Sequence, residues 1–436
     1  MIARLLLAAL CALLLATPAA DAAGLRNPLV PQTATGDDTP DPWIFRHAGR
    51  YWLTYTSTDH IEVRSARSLA DLADARPTRL WPPAGQTEPE ERCCALWAPE
   101  IHRVDGRWYV YYAANGPTGD THRMYVLESE ADSPAGPYRF KGRLALPQPF
   151  AIDGTVTTIG GRTYLLYSGG AAFTPTSLYI VALANPWTVE GEPLAISSPT
   201  LPWEQGIFAI NEGPEVLRHG GQLHVIYSAS WCGSKAYTLG RLTVPAGADL
   251  LATDTWKTAK APQPVFATST AAGVFGPGHG SFFRSPDGRQ SWMAYHATEE
   301  DKGCFTGGLR TTRVQPFSWN ADGTPDFATP VSLARDVPAP GGDATIAYQL
   351  EDVARGGRAV SDRRLVGYRG QAYPAGRVTA RLHVPRTGRY AIALRRQDAS
   401  GTVRIERLGT RRLRAGTATL QVSGAGTLDQ ITLTRR

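Results

Sequence analysis

Through most of the chain, apolar and polar positions alternate in short runs that end on Gly, Pro, Asn or Asp. That is the pattern of strands and turns; no stretch sustains the 3.6-residue periodicity of an amphipathic helix. Runs at 43–45, 51–56 and 61–65 read as strands of one unit, with a helical turn over 69–75. The unit then recurs as a turn ending in Gly and a strand closing on Tyr: Gly49 to Tyr55, Gly106 to Tyr112, Gly161 to Tyr167, Gly221 to Tyr227 and Gly288 to Tyr295. The Tyr-to-Tyr steps are 57, 55, 60 and 68 residues. Repeats of this size, rich in β-branched and aromatic residues, predict a β-propeller with one blade per copy, because a lone blade cannot bury both faces of its small sheet. Five copies predict five blades.

The register within the repeat carries the candidate chemistry. Asp41 and Asp153 each stand fourteen residues before their closing Tyr, Glu212 stands fifteen before, and His279 sixteen before; the second copy has Trp97 and Ala98 there. The first strand of a propeller blade lines the central channel, so residues at its entrance converge from separate blades on one space. Each acid alone reads as turn chemistry, since Asp-Pro and Asp-Gly are common turn formers. Three acids at matching positions make a site. Two carboxylates across a pocket, one of them kept protonated, are what hydrolysis of a glycosidic bond requires, and a third acid nearby raises the pKa of the protonated one.

Composition adds a leader and a second domain. Residues 1–22 hold a basic start, an apolar run over 5–16 and small residues at 20–22. These are the marks of a cleaved secretory signal and too short for a membrane span, so a secreted or periplasmic protein is expected. The catalytic propeller is expected over 24–335, a Pro- and Gly-rich linker over 336–344 and a small β-sandwich over 345–436. All eleven Trp lie at or before Trp319. The last 92 residues carry 18 Arg against 6 acids, while the rest has 27 basic and 33 acidic residues, so the overall +6 combines an acidic body with a basic tail. A basic tail suits a solvated surface or an acidic polysaccharide. No nucleic-acid or membrane partner is expected, and the chain is expected to act as a monomer. Cys93, Cys94, Cys232 and Cys304 form an even set for an oxidising compartment, with three pairings open. Cys232 and Cys304 follow neighbouring repeats, and their pairing would leave Cys93 bonded to Cys94.

At this point the sequence resembles glycoside hydrolase family 43. The motifs are Asp41-Pro42, Trp97-Ala98-Pro99-Glu100, Asp153-Gly154 and Glu212-Gly213-Pro214, in order, over about 27–333. The resemblance implies a five-bladed propeller that hydrolyses with inversion, with Asp41 as general base, Glu212 as general acid and Asp153 as the group that raises and orients Glu212. It also implies substrate contacts from Trp97 and Arg310, with Arg313 an adjacent competitor, and a calcium ion at the axis contacted by His279 through water. Within the family, 123–129, 151–155 and 320–327 are similar to exo-acting α-L-arabinofuranosidases on arabinan or arabinoxylan. A β-xylosidase, an endo-arabinanase and a non-catalytic propeller lectin are the alternatives. The tail, at 348–352, 385–390 and 428–433, is similar to carbohydrate-binding modules of families 6 and 35 but is shorter and lacks Trp.

Overall fold

The computed structural model describes residues 24–30, 38–118, 121–300, 309–343, 345–360, 373–384, 387–397 and 402–435. The expected signal segment and Cys304 lie outside them.

Five antiparallel sheets follow one another along the chain. Blade 1 runs from Trp43–His47 to Thr78–Trp81, blade 2 from Cys94–Val104 to Tyr138–Arg143, and blade 3 from Phe150–Ile159 to Thr188–Ser197, each with four strands. Blade 4 has three, Asn211–His219, Gln222–Ala229 and Thr238–Pro245. Blade 5 starts at Phe275–Arg284 and ends at Pro325–Asp326.

The repeated Tyr explains how the blades cohere. Tyr55, Tyr112, Tyr167, Tyr227 and Tyr295 are all fully buried, and each belongs to a different apolar seam between two blades. Tyr112 sits with Trp52, Ile61 and Trp81 of blade 1. Tyr167 packs with Tyr109 and Tyr111 of blade 2, Tyr227 with Leu178 and Ile180 of blade 3, and Tyr295 with Ile226 and Leu239 of blade 4. Tyr55 meets Phe283, Trp292 and Val314 of blade 5, which closes the ring. Burial of a large aromatic side chain at such a seam is worth roughly 3–5 kcal/mol against Ala. The repeat therefore records the inter-blade contacts themselves.

The N-terminal segment ties the ends of this ring. Composition reads 24–36 as a lead-in, yet Gly24–Arg26 forms a strand paired with Asp336–Pro338. The Asn27 side chain donates to the Val314 carbonyl and accepts from its N–H, both at 2.9 Å. Arg26 donates to Asp336 at 2.8 Å. These polar groups find partners across the junction between the N-terminal segment and the end of the propeller.

The C-terminal region is a small β-sandwich built on one long strand. The first half of Gly416–Arg435 pairs with Tyr373–Val384. Its second half pairs with Gly388–Gln397 and Thr345–Gln349. The strand thus passes from one layer to the other, and Tyr390, Ile392, Leu394, Val378, Leu420 and Leu433 fill the space between.

Arg395 joins this sandwich to blade 1. It is 8% exposed, pairs with Asp74 at 3.1 Å and is also hydrogen-bonded to Asp429, which is fully buried. Removing one member of such a group strands the remaining charges away from water. Arg395→Ala is expected to destabilise the sandwich by about 3 kcal/mol, seen as an earlier unfolding transition in a thermal melt. An unchanged melt would contradict this account of the contact.

Candidate active site

The five blade entrances share a backbone device. Asp41, Ala98, Asp153, Gly213 and His279 have φ of 55°, 41°, 57°, 54° and 36°. In blades 2 to 5 the same place is a shift of register between the first two strands. A left-handed residue costs a non-Gly side chain about 1–2 kcal/mol, and a bulge turns the local side chain out of the alternation of its strand. Here it brings His279 Nδ1 to 3.2 Å from Asp41 Oδ1 and 4.0 Å from Asp153 Oδ2. Gly213 adopts the conformation without a Cβ, and a Cβ there would lie 3.0 Å from the His279 ring. Glu212 directly precedes it.

Asp41 is closely surrounded by polar groups, and its own backbone N–H donates to His296 Nδ1 at 3.1 Å. His279 Nδ1 and His296 Nδ1 each lie 3.2 Å from its Oδ1, Arg310 Nη1 lies 3.8 Å from the same oxygen, and Thr56 Oγ1 donates to Oδ2 at 2.6 Å. Burial alone would raise this carboxyl. The His279 charge, the His296 hydrogen bond and the Arg310 charge together outweigh it and hold Asp41 well below the usual carboxylate range. His279 responds in kind: burial disfavours its cation, but Asp41, Asp153 and Glu212 raise its pKa.

Glu212 and Asp153 shift the other way. Burial, then the charge of Asp153, pushes Glu212 up to about 8, against a weaker opposing effect of the Tyr237 hydroxyl donating at 2.7 Å. Burial also pushes Asp153 up, to about 6, with Asp41 adding to it and the Gly213 N–H, donating at 3.1 Å, opposing. The channel therefore holds one carboxylate that stays ionised and one carboxyl that keeps its proton near neutral pH. A pair of titratable groups driven apart by their surroundings is an acid and a base.

The other expected residues are positioned unequally. Arg310 reaches Asp41 and Asp38, the latter at 3.1 Å, whereas Arg313 is fully buried within blade 5. Trp97 stacks on His122 with ring centroids 3.7 Å apart. Asp153, Glu212 and His279 offer ligand-type atoms within 4.8 Å of one another. Cys93 and Cys94 form a disulfide.

Sequence reasoning passed over an inner ring of support. Thr56, Ser168, Ser228 and His296 each stand one residue after a closing Tyr. Thr56 and His296 bond Asp41, the Ser228 hydroxyl accepts from the His279 N–H at 2.8 Å, and Ser168 donates to the Asn211 carbonyl at 2.8 Å. The signal was present: a residue next to a Tyr buried in a seam points to the opposite face. Below the trio, Glu215 faces Glu100, and burial followed by that neighbour's charge raises it. His102 Nε2 in turn lies 2.6 Å from Glu100.

A propeller whose channel holds an ionised carboxylate beside a protonated one defines a glycoside-hydrolase site. Comparison with known proteins gives the family: the profile of Glycosyl hydrolases family 43 matches residues 25–325. The chain belongs to that family and is a glycoside hydrolase of inverting type. It is 41% identical over 352 residues to an extracellular exo-α-(1→5)-L-arabinofuranosidase of Streptomyces avermitilis, covering 76% of this chain and 70% of that protein. It is 36% identical to a protein of the same description from Streptomyces chartreusis, covering 63% of this chain and 82% of that one. Among solved structures, an α-L-arabinofuranosidase from Lactobacillus brevis superposes with a TM-score of 0.65 at 34% identity, over 71% of this chain and 97% of that one. A xylan β-1,4-xylosidase from Bacillus halodurans C-125 superposes over 94% of this chain and 96% of that one, TM-score 0.57, at 12% identity, a likeness of fold alone. Among the described residues, no helix is long and apolar enough to cross a membrane.

Proposed function

We propose that this enzyme removes terminal α-L-arabinofuranosyl units from arabinan or arabinoxylan, outside the cell, as a single chain whose propeller (24–335) does the chemistry. The observation that carries the reading is the opposed pair of shifts in one channel, Asp41 driven down and Glu212 driven up, together with 41% identity to a secreted exo-arabinofuranosidase. Asp41 takes a proton from water as that water attacks the anomeric carbon. Glu212 gives its proton to the departing oxygen, so the C–O bond to the remaining chain breaks as a new one forms on the opposite face, with inversion. Asp153 acts through Glu212 by keeping it protonated. Arg310 and Trp97 are read as contacts to the sugar. Export by a signal peptide at 1–22 and a sandwich at 345–436 that steadies the propeller complete the proposal; the segment 336–344 joins propeller and sandwich, and its first three residues pair with Gly24–Arg26.

Calcium at the axis fits this donor set poorly as a directly held ion. Calcium takes six to eight oxygen ligands. The cluster offers two carboxyl groups and an imidazole whose Nδ1 faces Asp41. Only a hydrated ion touching His279 through water is compatible, and no step depends on it.

The test is product analysis. Linear α-1,5-arabinan is expected to yield arabinose alone from the first time points, and β-1,4-xylo-oligosaccharides no xylose. Release of xylose, or of arabino-oligosaccharides, would overturn the exo-arabinofuranosidase reading.

A further inference from the structure

Only five large apolar side chains are well exposed among the described residues: Phe173, Ile207, Phe208, Leu309 and Ile405. Four of them belong to segments that carry or adjoin the site residues. Leu309 precedes Arg310, whose guanidinium approaches Asp41. Ile207 and Phe208 lie four to five residues before Glu212. Phe173 is on the blade 3 loop that Thr176 joins to Ile210 by a β-bridge.

These rings are ordered. Phe173 meets Phe208 edge-on at 5.9 Å and 80°, and Phe208 meets Trp231 at 5.4 Å and 73°. On the other side Phe173 meets Phe150 at 6.0 Å and 87°, and Phe150 is buried three residues before Asp153. Edge-to-face packing holds each ring in place, yet Phe173 and Phe208 remain 38% and 37% exposed. An exposed apolar patch maintained by such contacts beside a catalytic channel marks a ligand surface.

Which part of the substrate lies there follows from the acid. The group that protonates the leaving oxygen must touch the bond on the side where the remaining chain departs, and Glu212 is on blade 4. We infer that Phe173 and Phe208 form the platform for the leaving-group side of the substrate, on which the sugar next to the cleaved bond, and the one after it, lay their apolar C–H faces. This rests on the arabinofuranosidase reading. It assigns the enzyme to chains with sugar beyond the scissile bond, because binding energy from that remote part is realised at the reacting centre.

The test compares two substrates that both lose an alkoxide and so need the acid equally. Methyl α-L-arabinofuranoside has nothing to lie on the rim; linear α-1,5-arabinopentaose does. Phe173→Ala and Phe208→Ala are each expected to lower kcat/KM on arabinopentaose about tenfold, leaving the methyl glycoside within about twofold, with unchanged thermal melts. Phe208→Trp, which keeps a flat apolar face, is expected to retain most of the activity on the pentaose. Equal losses on both substrates, or none on either, would overturn the platform. A wild-type enzyme inactive on both arabinosides would instead refute the arabinofuranosidase reading, and the platform would fall with it.

Discussion

Glu212→Gln is expected to lower kcat on arabino-oligosaccharides by about 10³-fold or more, within the range general acid catalysis supplies. The Gln oxygen can still accept the Tyr237 hydroxyl, so the folded structure and its melting temperature are expected to hold. What disappears is the proton that burial and Asp153 keep on this side chain near pH 7. The signature is leaving-group dependence. A 2,4-dinitrophenyl arabinofuranoside departs without protonation, and on it the loss is expected to shrink to about tenfold or less. Equal losses on sugar and dinitrophenyl leaving groups would mean that Glu212 shapes the pocket without donating a proton.

Asp41→Asn is expected to be at least as severe, about 10³- to 10⁴-fold, and for a different reason. Attack by water is needed whatever leaves, so the loss is expected to be the same for both classes of leaving group. Asn can still accept from Thr56, which limits the structural cost. It cannot take a proton, and it removes the first of the carboxylates that raise His279. His279 is then expected to deprotonate at a lower pH than in the wild type, visible in its imidazole NMR titration. Retained activity on either substrate class would remove Asp41 from the base role.

Much of this arrangement was legible in the residues because the repeat is imposed by geometry. Each closing Tyr must fill one inter-blade seam, so spacing alone located the blades, and counting back from Tyr55, Tyr167 and Tyr227 reached the acids at the channel entrance. Partners drawn from other repeats leave no such signal in the sequence. His296 bonds Asp41 from blade 5, and nothing local to its ring announces that neighbour; Thr56, by contrast, belongs to the same blade as Asp41 and follows its closing Tyr directly. Gly24–Arg26 looked like a lead-in because a three-residue strand has too little pattern to read, and its partner Asp336–Pro338 lies over 300 residues away. The arc from Phe150 to Trp231 is hidden for the same reason, being assembled from a strand start and loops spread over blades 3 and 4.

The central claim is that Asp153 and burial together keep Glu212 protonated. It is tested most directly by the pH dependence of kcat/KM on α-1,5-arabinotriose for the wild type and Asp153→Asn. With Glu212 as the proposed general acid, activity needs its protonated form, so in the wild type it is expected to fall as pH rises through about 8. Removing the neighbouring negative charge makes ionisation of Glu212 easier. In Asp153→Asn the alkaline limb is therefore expected to move to lower pH while staying above the ordinary carboxylate range, since burial remains. An alkaline limb at the same pH in both enzymes would contradict the account.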